Sequence, residues 1–194
     1  MQADSIYCVE RYFAIGTQAY AARDYRLAVK MFREACRLLP KVEHLMGLAE
    51  SLAQLDEIAE AAAAFENALK LDPRCAKALS SMGVMYEKRS MIEQAYDAYA
   101  RSLKITPDAL TANNFANCNR WMLKLDQAEY WYRKAYEWGY PNAQLNLSLL
   151  LMLKGDYVQA LPLFETRDKL AADEAYGPAR EMLKMLDEAG RKTT

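Results

Sequence analysis

The side chains from which catalysts are usually assembled are few in this sequence and lie far apart. His44 is the only histidine in 194 residues, so a histidine-based zinc site or proton relay has no second member. It reads as a surface or helix-terminal side chain. The cysteines, at positions 8, 36, 75 and 118, form no CxxC pair and read as small buried hydrophobes in a reducing compartment. The seven glycines are isolated from one another, so no glycine-rich loop can cradle a phosphate. Acidic pairs such as Asp56–Glu57, and Glu137 close to Lys134, read as caps and solvated helix faces. The sequence predicts no catalytic residue, no bound metal, no cofactor and no enzyme.

What polar chemistry there is suits recognition. Asn113 and Asn117 stand one helical turn apart and share a face. An asparagine amide carries both donors and an acceptor, so it can pair with a peptide N–H and C=O together. The other reading is that such asparagines cap helices or bond locally between neighbouring elements. A second concentration of contact energy is the run Tyr130, Trp131, Tyr132, Tyr136 and Trp138. Its rings either pack within the fold or serve as interface anchors.

The elements that hold these residues follow from a repeat. Ala28 and Phe32 are a small residue followed four later by a ring, and the pair recurs as Ala61–Phe65, Ala95–Tyr99, Ala128–Tyr132 and Ala160–Phe164. The steps are 33, 34, 33 and 32 residues. About sixteen residues earlier lies a second signature: Tyr12-x-x-Ile15-Gly16, Leu45-x-x-Leu48-Ala49 and Leu79-x-x-Met82-Gly83, with looser copies at Ala112-x-x-Phe115-Ala116 and Gln144-x-x-Leu147-Ser148. Pro40, Pro73 and Pro107 close the first three units. Apolar residues at i, i+3, i+4 and i+7 run through both segments of each unit, as amphipathic helices require. Small residues at the crossing let two antiparallel helices approach closely. The rings fill the wedge toward the next unit. Asp24, Asp56, Asp126 and Asp156 stand where N-caps of the second helices belong.

This pattern resembles the tetratricopeptide repeat, over roughly residues 9 to 172. The resemblance implies an all-α fold, a right-handed α-solenoid of about five helix-turn-helix units in a single domain. The units fall at about 9–41, 42–75, 76–108, 109–140 and 141–172, with a capping helix at about 177–190 whose polar outer face closes the stack. The fourth unit ends in Gly139-Tyr140-Pro141 and is similar to a Sel1-like repeat, which implies a local change of curvature. Pro162 is placed near the first turn of its helix, where its missing N–H costs little.

In solenoids of this kind the first helix of each unit lines the concave surface. The residues there that the core does not claim are Phe13, Thr17, Tyr20, Met46, Glu50, Lys77, Ser81, Val84, Asn113, Asn114, Asn117, Arg120, Asn146 and Leu149. Asn114 and Asn146 hold equivalent places in consecutive units. They resemble two rungs of the asparagine ladder that grips extended peptide backbone in some tetratricopeptide superhelices, the earlier rungs being Ala14, Gly47 and Ser81. Lys77, Asn113, Asn117 and Arg120 resemble part of a carboxylate clamp, although Phe13 and Thr17 replace its first members. The expected partner is another protein or peptide, bound as an extended segment by an adaptor or chaperone-like module. The alternative is a homo-oligomeric scaffold. With 25 basic and 26 acidic residues evenly spread, nucleic acid is not expected. No apolar run suits membrane insertion, no secretory leader is evident, and the expected location is cytoplasmic.

Overall fold

A computed structural model describes residues 2–168. They form ten helices and no strand: α1 (Gln2–Ala21), α2 (Tyr25–Leu38), α3 (Val42–Gln54), α4 (Ile58–Leu71), α5 (Ala76–Glu87), α6 (Ile92–Ile105), α7 (Ala109–Trp121), α8 (Leu125–Glu137), α9 (Asn142–Leu153) and α10 (Tyr157–Asp168). Each odd-numbered helix packs on the even-numbered one after it, and each pair packs on the next. The anticipated capping helix at about 177–190 lies outside the described residues.

The repeat signature is the core. Ala28, Ala61, Ala95 and Ala128 are fully buried at the helix crossings, as are Ala49 and Ala116 opposite them. Phe32, Phe65, Tyr99 and Tyr132 are buried in the wedges between units. Glycine is required where a ring lies flat on backbone. A methyl on Gly16 or Gly47 would stand 2.8 or 2.7 Å from the Phe32 ring, and one on Gly83 would stand 2.5 Å from the Tyr99 ring. The last two wedges add polar fastening. The Tyr99 hydroxyl donates to Glu87 Oε2 at 2.6 Å and the Tyr132 hydroxyl donates to Asn117 Oδ1 at 2.6 Å. Burial, above all, raises the pKa of both phenols.

The turn inside each unit carries a device that residue types conceal. Arg23, Asp56, Ser90 and Leu123 adopt φ of 61°, 65°, 58° and 58°, and Gly155 adopts 82°. These positions repeat in step with the units. Only the last is the residue that tolerates the left-handed region without strain.

Four anticipated details differ. Asp24 caps α2 through Leu27 N–H, and Asp156 accepts from Gln159 N–H, but Asp56 and Asp126 do not cap. Both are exposed and face cations of the following unit: Arg89 bonds Asp56 and the Ala53 carbonyl, and Lys154 bonds Asp126 and Glu129. His44 is 3% exposed, its Nδ1–H donating to the Leu39 carbonyl at 2.9 Å and its ring 4.9 Å from that of Phe13. It is helix-terminal, in the first turn of α3, but buried and bonded in the core, not on the surface. Among the cysteines only Cys118 is fully buried, while Cys8 is exposed. Pro162 is the sixth residue of α10, past the first turn, so its missing N–H does interrupt the helical ladder. Nearby, Gln144 Nε2 of α9 donates to the Leu163 carbonyl at 2.8 Å.

Candidate functional site

Consecutive first helices approach one another directly, α1 to α3, α3 to α5 and α5 to α7. Their shared face is therefore the inner side of the curve. Two adjoining hollows run along it. One, of about 410 Å³, is framed by Phe13, Thr17, Phe32, Val42, Met46 and Gly47. The other, of about 620 Å³, follows α5 from Ala76 through Ser80, Ser81, Val84 and Met85 to Lys88 and reaches Leu110, Thr111 and Asn114 on α7. Tyr20, Glu50 and Lys77 line both, so the two form one groove with a shared sill.

Why these residues are left to face the groove follows from the helical stripe. On α5 and its C-cap, positions 77, 81, 84 and 88 are three or four residues apart, as are 77, 80 and 84, and they lie beside the Leu79, Met82 and Gly83 face that the core takes. The small hollow is apolar because α2 sends Phe32 through the gap that Gly16 and Gly47 leave open, so the ring reaches the groove from behind. At the sill, Ser81 Oγ donates to Glu50 Oε1 at 3.1 Å, tying α5 to α3. The Tyr20 phenol has a raised pKa, first because it is part-buried and second because the Glu50 carboxylate is close.

The structure brings nine of the fourteen anticipated residues together here: Phe13, Thr17, Tyr20, Met46, Glu50, Lys77, Ser81, Val84 and Asn114. Asn113, Asn117, Arg120, Asn146 and Leu149 lie outside both hollows. Asn113 is 4% exposed and accepts from Asn146 Nδ2 at 2.7 Å, and its own amide donates to Asn114 Oδ1 at 3.3 Å. Asn117 receives the Tyr132 hydroxyl. These asparagines bond to one another and to a core phenol, linking α7, α8 and α9. Of the partial carboxylate clamp, Lys77 lines the groove while Asn113, Asn117 and Arg120 do not. Sequence reasoning did not single out Gln54, Lys88, Arg89 or Leu110, which also line the larger hollow. The i+4 and i+11 spacing from Val84 and Lys77 was the signal available for Lys88.

Outside the groove, Trp131 packs edge-on against Phe115 at 5.2 Å, whereas Tyr130 on α8 and Trp138 at its C-cap are 54% and 40% exposed. Among the described residues, no three or more His, Cys, Asp or Glu side chains gather closely enough to hold a metal ion. No helix among them is long and apolar enough to cross a membrane.

Comparison with known proteins agrees with this architecture. The family model described as tetratricopeptide repeat matches residues 13–66 and 47–109, together half of the chain. The chain is 26% identical over 181 residues to the human protein O-mannosyl-transferase TMTC1, covering 89% of this chain and 20% of that protein. It is 30% identical over 106 residues to the heat shock protein sti1 homolog of Schizosaccharomyces pombe, covering 50% of this chain and 18% of that one. A small glutamine-rich tetratricopeptide repeat-containing protein of Saccharomyces cerevisiae is 30% identical over 97 residues, with 50% of this chain and 28% of that protein covered. The chain thus spans less than a third of each of these relatives. Among solved structures, PilF of Pseudomonas aeruginosa superposes with a TM-score of 0.76 at 20% identity, over 89% of this chain and 80% of that one. MamA of Desulfovibrio magneticus RS-1 gives 0.75 at 19%, over 84% and 94%. YrrB, described as having an unusual peptide-binding site, gives 0.71 at 16%, over 88% and 90%. At these identities the likeness is one of fold.

Proposed function

Because the chain belongs to the tetratricopeptide repeat family, we propose that it is a non-catalytic interaction module that holds an extended segment of another protein in the groove along α1, α3, α5 and α7. The observation that carries this reading is the continuous groove itself, lined by side chains that packing leaves free. The small hollow would take an apolar side chain of the ligand, and the polar wall of α5 would face its backbone. The YrrB likeness supports such use of the fold, and the likeness to a heat shock protein homolog suits a chaperone-associated adaptor. Asn114 remains a groove residue, while Asn113, Asn117 and Asn146 act by holding the wall that carries it.

The test is capture from lysate by the wild-type chain beside a Ser81→Trp variant, whose indole would fill the groove without removing core volume. A protein recovered by the wild type and lost from a folded Ser81→Trp chain supports the groove. An identical set from both baits refutes it. The exposed Tyr130 and Trp138 favour a second reading, self-association through the outer face of α8. Light scattering that shows a concentration-dependent dimer, abolished by Trp138→Ala, would put that reading first.

A further inference from the structure

The charges along the groove are not equally available. Asp108 is spent on the N-terminus of α7, where its Oδ2 accepts from the Thr111 N–H and hydroxyl. Arg89 is spent on Asp56 and the Ala53 carbonyl of the preceding unit. Glu43 lies 3.9 Å from Lys41. Glu50 has Oε1 occupied by Ser81 and keeps Oε2 for one further donor, such as a ligand N–H. Among the described residues that line the groove, Lys77 and Lys88 are the two cations with no carboxylate within ion-pair distance.

These two lysines share a stripe. They are eleven residues apart on α5 and its C-cap, about three turns, so they face the same way about 16 Å apart. An extended chain advances about 3.3 Å per residue. Side chains of an extended chain alternate faces, so two carboxylates about four or six residues apart share one face and would meet both ammonium groups at once. Beyond Lys77, across the sill, lies the hollow of Phe13, Phe32, Val42 and Met46, apolar and large enough for an aromatic or long aliphatic side chain.

We propose that the groove, read as a peptide site above, selects an internal acidic segment: one large apolar residue seated between Phe13 and Met46, and two carboxylates about four or six residues apart on Lys77 and Lys88. A free C-terminus is not needed, because Lys77 has no second groove cation beside it and Lys88 stands at the far end of the helix.

The experiment is selection of peptides by the full chain from two random display libraries, one with every C-terminus fused to its carrier and one with it free. The fused library is expected to yield clones with one large apolar residue and paired acids about four or six apart. A Lys77→Gln/Lys88→Gln variant is expected to keep the apolar preference and lose the acidic one. A selected peptide, synthesised with an amidated C-terminus, should bind that variant about five- to tenfold more weakly than wild type, and the difference should shrink at high salt. Clones without paired acids, an acidic preference that survives in the variant, or enrichment confined to the free-terminus library would each overturn the proposal. Those outcomes leave the peptide groove standing so long as Ser81→Trp abolishes selection. No enriched clone from either library, or clones that Ser81→Trp still binds, overturns both.

Discussion

Gly47→Ala sets helix propensity against packing. In an exposed helix interior, alanine is more favourable than glycine by about 1 kcal/mol. Here a methyl at position 47 would stand 2.7 Å from Phe32 Cζ and 2.8 Å from Cε1. The ring cannot retreat. A methyl on Gly16 would be 2.8 Å from the same ring on the α1 side, and Phe13 stands 5.7 Å from it, centroid to centroid. Overpacking a core costs about 1–3 kcal/mol, and with both faces closed the upper part of that range applies, about 2–3 kcal/mol. Net of propensity, the substitution should destabilise by about 1–2 kcal/mol, at about 2–4 °C of melting temperature per kcal/mol in a chain of this size. The assay is urea unfolding of wild type, Gly47→Ala, Phe32→Leu and the double variant. Trimming the ring should make the added methyl cheaper, so the double variant should be more stable than the two single effects predict. A Gly47→Ala chain at least as stable as wild type would refute the packing argument, as would a cycle that closes within about 0.5 kcal/mol.

Leu123 holds a left-handed φ of 58° while 79% exposed. Leu123→Gly should therefore stabilise by about 0.5–1 kcal/mol, the relief of side-chain strain less the entropy of glycine, and a lowered melting temperature would count against this. The Lys154 hydrogen bonds and charge hold Asp126 below its ordinary pKa; for Glu129, burial pushes upward but the bonds from Lys154 and Arg133 outweigh it. Carboxylates depressed in the folded state contribute stability that is complete above their unfolded values, about 4, and is lost as pH falls through the folded ones. Wild type should thus lose more stability than Lys154→Met between about pH 5 and 3, and parallel melting curves would sink the assignment. Burial pushes the Cys118 thiol up to about 12 and the Cys36 thiol up to about 11, whereas Cys8 is exposed. Alkylation followed by mass spectrometry should mark Cys8 first and Cys118 only in denaturant, and early modification of Cys118 would show that its wedge opens.

The helix order was legible because packing geometry repeats in residue type. Ala28 and Phe32 recur since only a small residue fits the crossing and only a ring fills the wedge. The turns were not legible in the same way. Arg23, Asp56, Ser90 and Leu123 adopt a glycine-like backbone without glycine, so the aspartates that looked like caps gave Asp56 and Asp126 the wrong role. The surroundings hold such turns closed, and no single residue type records that. His44 reads as polar by type, yet its Nδ1–H is met by the Leu39 carbonyl at the end of α2, which only the fold brings near. The asparagines left two readings open for a related reason: a donor-and-acceptor side chain suits a ligand and a neighbouring helix equally, and here Asn113 accepts from Asn146. The groove residues on α1, α3 and α5 were found because exclusion from a helical stripe is a periodic property.

The buried rings differ along the stack in a way that bears on elasticity. Phe32 and Phe65 fill the first two wedges with hydrocarbon alone, which resists separation but has no preferred angle of rotation. Tyr99 and Tyr132 occupy the next two wedges and are anchored through their hydroxyls, and a hydrogen bond weakens steeply when bent. Both bonds close within a unit, Tyr99 of α6 onto α5 and Tyr132 of α8 onto α7, so they fix the angle between the two helices of the third and fourth units. The seams between units are tied by other groups: Ser81 on Glu50 and Arg89 on Asp56 join the second unit to the third, and Lys154 on Asp126 and Glu129 joins the fourth to the fifth. The third and fourth units are thereby the stiffer blocks of the stack, while in the first two only hydrocarbon packing resists a change of angle between paired helices.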